Sequence, residues 1–520
     1  MSQRFYCYKA KMETSGSIAA VSIWIFLFIS SMLSSPCSPL DFKELWRLTS
    51  PEAAPRIGRS YVQGSVKVRE IYYPSRSYKG KPSIIFGYYC VPLFLKERLP
   101  AILISHGGGG GASLPTGLRW AKYGYANLII DLPGKGKQRG GSRSTGPDMD
   151  VESLLYTGQE LENNYLFHSV AAIRHGIGFL ANQPEVDPDR LGMIGLSWGG
   201  VNSILTNGQE PRLKAVVNVF GAGFIPEGCT WMDQFTRKLP DELKRWNAFL
   251  DPSRFLATQH APILFITGTN DHCYYLPTFQ KSFLKINGEK QLYLIPNLRH
   301  QFYQRDEAVA LAWLDGKLKK KGIFPEVTIL PFYQKPANFM VSKELTAPEV
   351  RLARAPDHLI VPVMVDSVAD IKNLRLYYSQ GGPNQWTIKK WQSLAADRDE
   401  NGYYFKVPHR LIDPEILFFA SITNVENRTT STLVRSLFKM TMENGEQSYA
   451  VSPPITRTFK HDLPMIMLNG EKIRSNEYLV YSPKSKSYLL LSKKMKRAER
   501  SIVRKWLISL KVWQIGRLAR

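Results

Sequence analysis

The chain has 520 residues, of which 44% are hydrophobic and 22% charged, and a formal net charge of +24. That length suggests two or three domains with ample material for a large core, and the balance is that of a globular protein rather than a disordered or fibrous one. Five cysteines are too few for a disulfide framework. No Cys/His cluster has zinc-ligand spacing, and no P-loop or dinucleotide fingerprint is present, so neither metal nor cofactor is expected.

The chain opens with Arg4, Lys9 and Lys11 ahead of an apolar run from Ile18 to Leu33, followed by Ser34, Ser35 and Ser38. The run is short for a membrane span, so residues 1–37 read as a signal peptide and the mature protein as exported: periplasmic, cell-surface or secreted. An uncleaved anchor is the other reading. Cys37 fits a lipoprotein cleavage pattern badly, with Pro36 before it. Cys7 and Cys37 fall in this leader, which leaves Cys90, Cys229 and Cys273, an odd set from which one pair could form after export.

From residue 41 the pattern becomes that of alternating strands and helices. Strands are expected at Val66 to Tyr72 and Ile84 to Val91, then at Pro100 to Ser105, which runs into His106 and five glycines, Gly107 to Gly111. A further strand at Tyr125 to Leu132 ends in Asp131-Leu132-Pro133-Gly134-Lys135-Gly136. Residues 133–150, rich in Gly, Ser and Arg, predict a mobile loop, and Asp150 to Asn182 reads mostly as helix.

The most informative segment follows. Arg190 to Ile194 is a short buried strand, and it leads into Gly195-Leu196-Ser197-Trp198-Gly199-Gly200, whose last glycines open a helix. A strand, one serine flanked by glycines, and a helix describe a nucleophile elbow, in which a sharp turn lifts the serine hydroxyl above the sheet. The bare motif occurs by chance in many chains, so its context carries the reading. A strand ending in His-Gly-Gly-Gly matches an oxyanion loop, with donors expected from Gly107 or Gly108 and from the N–H of Trp198. A plain flexible loop is the bland reading of that glycine run.

A strand at Lys214 to Phe220 precedes an insertion, Gly221 to Gln259, that carries Trp231, Phe235, Trp246 and Phe249. These aromatics are either a lid or substrate wall, or ordinary packing. Ala261 to Thr267 is the next strand, followed by Gly268-Thr269-Asn270-Asp271; Asp271 is the acid expected to orient a histidine, although an Asx turn ahead of Pro277 would look the same. Gln291 to Ile295 is another strand, and His300 lies just past it. His272, His358, His409 and His461 lack that placement, and the His272 side chain is expected to point away from the acid. The order Ser197, Asp271, His300 is that of the α/β-hydrolases and differs from the two common serine-protease orders. Trp231 and Tyr274 are the expected substrate contacts.

Asp306 to Lys320 is a last helix. Beyond it come short alternating strands at Ile360 to Val365, Leu374 to Ser379, Trp386 to Trp391, Tyr403 to Val407, Ile416 to Asn424 and Ser431 to Leu437, separated by turns such as Gly381-Gly382-Pro383-Asn384. That spacing suggests a small β-sandwich. The organisation expected is therefore a doubly wound, mostly parallel α/β-hydrolase sheet over 41–325, a sandwich over 326–450 and a basic extension over 451–520. Residues 484–520 hold twelve Lys and Arg against Glu499 alone. Lys493 to Arg497 with Ile502, Val503, Trp506, Leu507 and Leu510 could form a basic amphipathic helix in weak contact with a membrane surface, or a merely solvated tail. No nucleic-acid-binding module accompanies it.

The runs His106 to Gly111, Asp131 to Gly136, Gly195 to Gly200, Asn218 to Phe224, Arg245-Trp246 with Asp251-Pro252-Ser253, and Gly268 to Asp271 together resemble exported bacterial α/β-hydrolases of the dienelactone hydrolase and acetyl xylan esterase kind, over about residues 60–320. The resemblance implies Ser197, Asp271 and His300 as a triad, oxyanion donors at Trp198 and the start of the glycine run, and a carbohydrate or other small-molecule ester as substrate. Leu298-Arg299 departs from the smaller residues relatives often carry there. A prolyl-oligopeptidase-like peptidase is the main enzymatic alternative, though residues 34–97 are far too few for the β-propeller such enzymes place ahead of the hydrolase domain. An inactive hydrolase serving as a binding module is the non-enzymatic one.

Overall fold

The computed structural model describes residues 42–48, 53–330 apart from 95, 135–142 and 159, then 357–366, 370–400, 402–441 and 447–457, with strand backbone at 466–468, 471–473, 477–482 and 487–492. The chain separates into two units, residues 1–47 and 48–520. In the first, the described part is one helical turn, Phe42–Leu45. The leader and the basic segment from 493 onward lie outside the described residues.

The second unit is built on a nine-stranded sheet. Its strands are β1 (Arg56–Gln63), β2 (Val66–Tyr78), β3 (Lys81–Pro92), β4 (Leu99–Ser105), β5 (Ala126–Ile130), β6 (Val186–Leu196), β7 (Leu213–Val219), β8 (Ile263–Gly268) and β9 (Lys290–Ile295), in the order β1-β2-β3-β5-β4-β6-β7-β8-β9. The first three strands pair antiparallel, and the pairings from β5 through β4 to β9 are parallel. Parallel strands are covered by helices on both faces, so they read as unbroken apolar runs; β5 and β8 are buried at every residue.

The covering helices are α1 (Leu114–Lys122), α2 (Tyr165–Ala181), α3 (Trp198–Asn207), α4 (Met232–Thr236), α5 (Pro240–Phe249), α6 (Leu276–Leu284) and α7 (Glu307–Leu318). The helix expected over 150–182 is broken in two. Asn164 ends the gap: its Oδ1 caps Leu166 N at 2.8 Å while its Nδ2 donates to Leu154 O and Tyr156 O, so helix can start only after it. Strand order reverses at β4, whose neighbours are β5 on one side and β6 on the other. The loops after β4 and β6 therefore open onto one crevice, where open α/β sheets place their sites.

Two antiparallel sheets follow, β10-β11-β15-β14 and β13-β12-β16-β18-β19, with β17 on β16. These strands are β10 (Glu326–Ile329), β11 (His358–Asp366), β12 (Ile371–Gln380), β13 (Gln392–Ala395), β14 (Asp397–Asp399), β15 (Gly402–Pro408), β16 (Glu415–Asn424), β17 (Thr429–Ser431), β18 (Arg435–Thr441) and β19 (Gln447–Val451). Every second residue points to a shared core: Leu359, Val361 and Val363 from one sheet meet Leu374, Leu376, Ile416 and Phe418 from the other. That is a sandwich, with side chains of two inner faces interdigitating.

Two expected strands move. Trp386 to Trp391 is a 3₁₀ turn, Trp386–Ile388, followed by extended chain, because the Lys389 and Trp391 backbone groups bond to asparagine side chains on the turns after β8 and β9 instead of a strand neighbour. The strand expected from Ser431 begins at Arg435; Ser431 belongs to β17, and Val434 N is taken by Gln280 Oε1 on α6. Further on, Ile466–Leu468 pairs with Glu471–Ile473, and Glu477–Ser482 with Ser487–Ser492.

Candidate active site

Ser197 sits between the end of β6 and the start of α3 with φ 57° and ψ −115°. A non-glycine residue rarely adopts positive φ, and holding one there costs on the order of 1–3 kcal/mol, supplied by the surrounding structure. The turn is tight enough that a Cβ on Gly195 would lie 1.9 Å from Gly199 O. Ser197 N is tied to Val219 O at 2.9 Å, so the elbow is held from β7 as well.

His300 lies on the loop beyond β9, with Nε2 2.8 Å from Ser197 Oγ. Its Nδ1 lies 2.9 and 3.0 Å from the two carboxylate oxygens of Asp271, at the turn after β8. The Asp271 side chain is wholly buried, whereas that of His300 is 14% exposed. Asp271 Oδ1 also accepts from Cys273 N at 2.7 Å and Tyr274 N at 3.2 Å, which fixes the carboxylate plane. The Phe220 ring covers the imidazole at 4.6 Å between centroids. Serine hydroxyl, imidazole and carboxylate thus form one hydrogen-bonded line, an arrangement able to move a proton off Ser197 onto Nε2 while the carboxylate steadies the resulting cation. His272 is exposed, but its ring stands edge-on to His300 at 5.8 Å, nearer than its place in the sequence suggests.

The glycine run passes directly beside the serine. A Cβ on Gly107 would come 2.7 Å from Ser197 Cβ, and one on Gly108 would come 3.1 Å from Trp198 Cδ1. Trp198 opens α3, so its N–H is one of the first-turn donors that no intrahelical carbonyl satisfies. Both expected oxyanion elements therefore flank Ser197.

Two residues that hold this loop were not assigned from sequence. Leu132 N donates to His106 Nε2 at 2.9 Å, which leaves the proton on Nδ1 to bond Gly107 O at 2.7 Å. Loss of solvation keeps the His106 imidazole below the usual histidine value. Asp131 accepts from Ala112 N and Arg143 N, so the Asp131-Leu132 pair at the end of β5 staples both ends of the glycine loop. The recurrence of His106 and Asp131 at consecutive strand ends was the available signal. Residues 143–146 of the expected mobile loop are docked on β3: Thr145 N donates to Ile84 O at 2.8 Å, and Phe86 N to Ser144 Oγ at 2.9 Å.

The insertion divides into packing and site. Phe235 and Trp246 are buried against each other at 4.8 Å, and Trp246 Nε1 donates to Leu154 O. Asp251 accepts from Phe224 N, Ile225 N and Ser253 N, anchoring the chain after β7. Trp231 is half-buried and packs 5.0 Å from the ring of Trp198, the residue after Ser197. Tyr274 backs both rings, 5.9 Å from Trp198 and 5.7 Å from Trp231, but is fully buried. Cys90, Cys229 and Cys273 are free thiols. Among the described residues, Asp271, Cys273 and His300 could present metal-ligand atoms within 4.8 Å of one another. Two of them are already bonded together, and burial with the Asp271 charge pushes the Cys273 thiol up to about 12, away from the thiolate a metal needs.

The sheet, the elbow and the ordered serine, carboxylate and imidazole define an α/β-hydrolase. Residues 32–226 match the acetyl xylan esterase family model, and residues 232–358 match the model of the PhoPQ-activated pathogenicity-related proteins. The hydrolase YtaP of Bacillus subtilis is 27% identical over 148 residues, 26% of this chain and 47% of that protein. The acetyl esterase Axe7A of Xylanibacter ruminicola is 22% identical over 250 residues, 45% of this chain and 56% of that one. The chain thus spans about half the length of the curated relatives it matches. Among solved structures, an acetyl xylan esterase from Paenibacillus sp. R4 is 20% identical with a TM-score of 0.45, covering 53% of this chain and 92% of its own.

Proposed function

We propose that the chain is a serine-dependent carboxylic ester hydrolase that removes acetyl groups from carbohydrate. The observation that carries this is the 2.8 Å contact between Ser197 Oγ and His300 Nε2, with Asp271 on the opposite ring nitrogen. His300 takes the serine proton, and Ser197 Oγ attacks the ester carbonyl. The developing oxyanion lies between the Trp198 N–H and the glycine loop at Gly107 and Gly108. Proton return to the alkoxide releases the alcohol and leaves an acyl-serine. Water activated by His300 then frees the acid and restores the serine. The acetyl preference draws its support from the family match over residues 32–226 and from the tryptophan pair beside the nucleophile. The apolar run at 18–33 behind Arg4, Lys9 and Lys11 supports export, where acetylated polysaccharide is met.

A fluorophosphonate probe tests the nucleophile, since only an activated serine reacts. The full chain labels and the Ser197→Ala protein does not. Acetate release from acetylated xylo-oligosaccharides, run beside cleavage of a prolyl anilide, tests the substrate. Preference for the anilide replaces the esterase with a peptidase, and absence of labelling makes the protein an inactive binding module.

A further inference from the structure

The sandwich grips both loops that carry the acid and the base. Asn297, three residues before His300, uses its whole amide: Nδ2 donates to Trp391 O at 2.8 Å, and Oδ1 accepts from Trp391 N at 2.8 Å. Asn270, adjacent to Asp271, donates through Nδ2 to Lys389 O at 2.6 Å. The two asparagines are joined inside the hydrolase domain by Thr269, whose hydroxyl accepts from Asn297 N at 2.9 Å and donates to Asn270 Oδ1 at 2.8 Å. Thr269 and Asn270 are buried. The far end is stiff as well, because the Trp391 indole packs on Phe419 of β16 at 5.3 Å.

We propose that Asn297 and Asn270 are positioning residues through which the Lys389–Trp391 segment of the sandwich sets the spacing of His300 and Asp271 relative to Ser197. The proposal rests on the serine-hydrolase reading of that triad. Its physical basis is the contrast among the bonds that cross the same seam. Leu294 N to Ser431 Oγ holds strand β9, the edge of the large sheet; Gln280 on α6 meets Val434 N and Ile455 O; and Arg428 Nη2 donates to Lys321 O beyond α7. Those bonds fasten regular elements or their ends, and regular elements hold their own shape. The asparagine bonds fall on two turns, where no ladder fixes the backbone and where Asn297 itself sits at φ 58°. Buried, mutually bonded polar chains of this kind stiffen one another.

The test uses Asn297→Gly in the full-length chain. Glycine accepts φ 58° without strain, so the turn is kept and only the two bonds to Trp391 are lost. Because a misplacement of about 1 Å can cost on the order of a hundredfold, kcat on an aryl acetate and the limiting rate of fluorophosphonate labelling both fall by about ten- to a hundredfold, while KM and the probe's half-saturating concentration change less than about twofold. Gln280→Ala removes a comparable pair of seam bonds from α6; it lowers the unfolding temperature and leaves kcat within about twofold of wild type. Should Asn297→Gly fail to fold, Asn270→Ala takes its place with the same expectation. Wild-type kcat in the asparagine variants, or an equal loss of kcat in Gln280→Ala, overturns the proposal and reduces the seam to simple docking. Failure of the unaltered chain to label refutes the serine-hydrolase reading itself, a result distinct from either.

Discussion

Gly107 lies against Ser197 so closely that a Cβ on it would sit 2.7 Å from the serine Cβ and 3.0 Å from Leu196 O. Both are backbone-held atoms, so neither can step aside. Gly107→Ala therefore pushes the glycine loop away from the nucleophile. Removing one oxyanion donor costs about 10²–10³ in kcat, and the same loss is expected here. Gly108→Ala meets the edge of the Trp198 ring at 3.1 Å, a contact that eases with a small ring shift, and loses less. Comparing kcat of the two variants on p-nitrophenyl acetate checks the order.

Ser197→Ala abolishes ester hydrolysis with folding intact, since the hydroxyl contributes chemistry and little packing. The loss in kcat is on the order of a million-fold, and His300→Ala approaches it. His272→Ala changes kcat by less than about tenfold, because His272 bonds to neither Ser197 nor Asp271 and meets His300 only ring to ring, a contact worth about 1 kcal/mol. Reversal of the two histidine effects would move the base to residue 272.

On the proposed esterase reading, the tryptophans set acyl length. Trp198 and Trp231 stand 5.0 Å apart beside the nucleophile, backed by buried Tyr274. A narrow apolar site discriminates by roughly 1–3 kcal/mol per methylene, so acetyl esters turn over much faster than octanoyl esters. Trp231→Ala narrows that preference by admitting longer chains. Measuring kcat/KM for acetyl, butyryl and octanoyl esters in both proteins decides it; an unchanged ratio removes Trp231 from the acyl wall.

Glu210 ties the end of α3 to its surroundings. Its buried carboxylate receives Nε and Nη2 of Arg212 at 2.7 Å each, with Arg174 Nε at 3.5 Å. Burial by itself would raise this carboxyl, but the two arginines more than offset it and hold it below the ordinary value of 4.5. A depressed folded value contributes stability that is present above 4.5 and lost as the pH falls through the folded value. Glu210→Gln thus costs about 2 kcal/mol at pH 7, and the gap from wild type closes as the pH drops below the carboxylate range. Denaturant titrations at pH 7 and near pH 3 measure it; a gap that widens in acid contradicts the assignment.

Most of the catalytic half was legible in the residues themselves. The buried stretches of β4 to β8 are mostly apolar because both faces are covered, and glycines mark the turns after β4 and β6 because no Cβ fits there. Ser197, Asp271 and His300 could be named because the fold fixes their order along the chain and each follows a recognisable strand. The sandwich was visible as alternation, a period-2 signal that local sequence carries. What the residues could not reveal is whatever depends on partners far away in the chain. Trp386 to Trp391 has the composition of a strand, and only docking on Asn270 and Asn297 turns it into a brace. Trp231 and Trp246 look alike in sequence, yet one packs on Trp198 and the other is sealed against Phe235. His106 is bonded to a backbone N–H twenty-six residues later. Sequence alone determined which serine, carboxylate and imidazole follow the strand ends of the sheet, because strand burial, turn sterics and chain order are local or ordinal. The tertiary structure decided how those groups are held in place, because the restraining hydrogen bonds join residues far apart in the chain that meet only once it is folded.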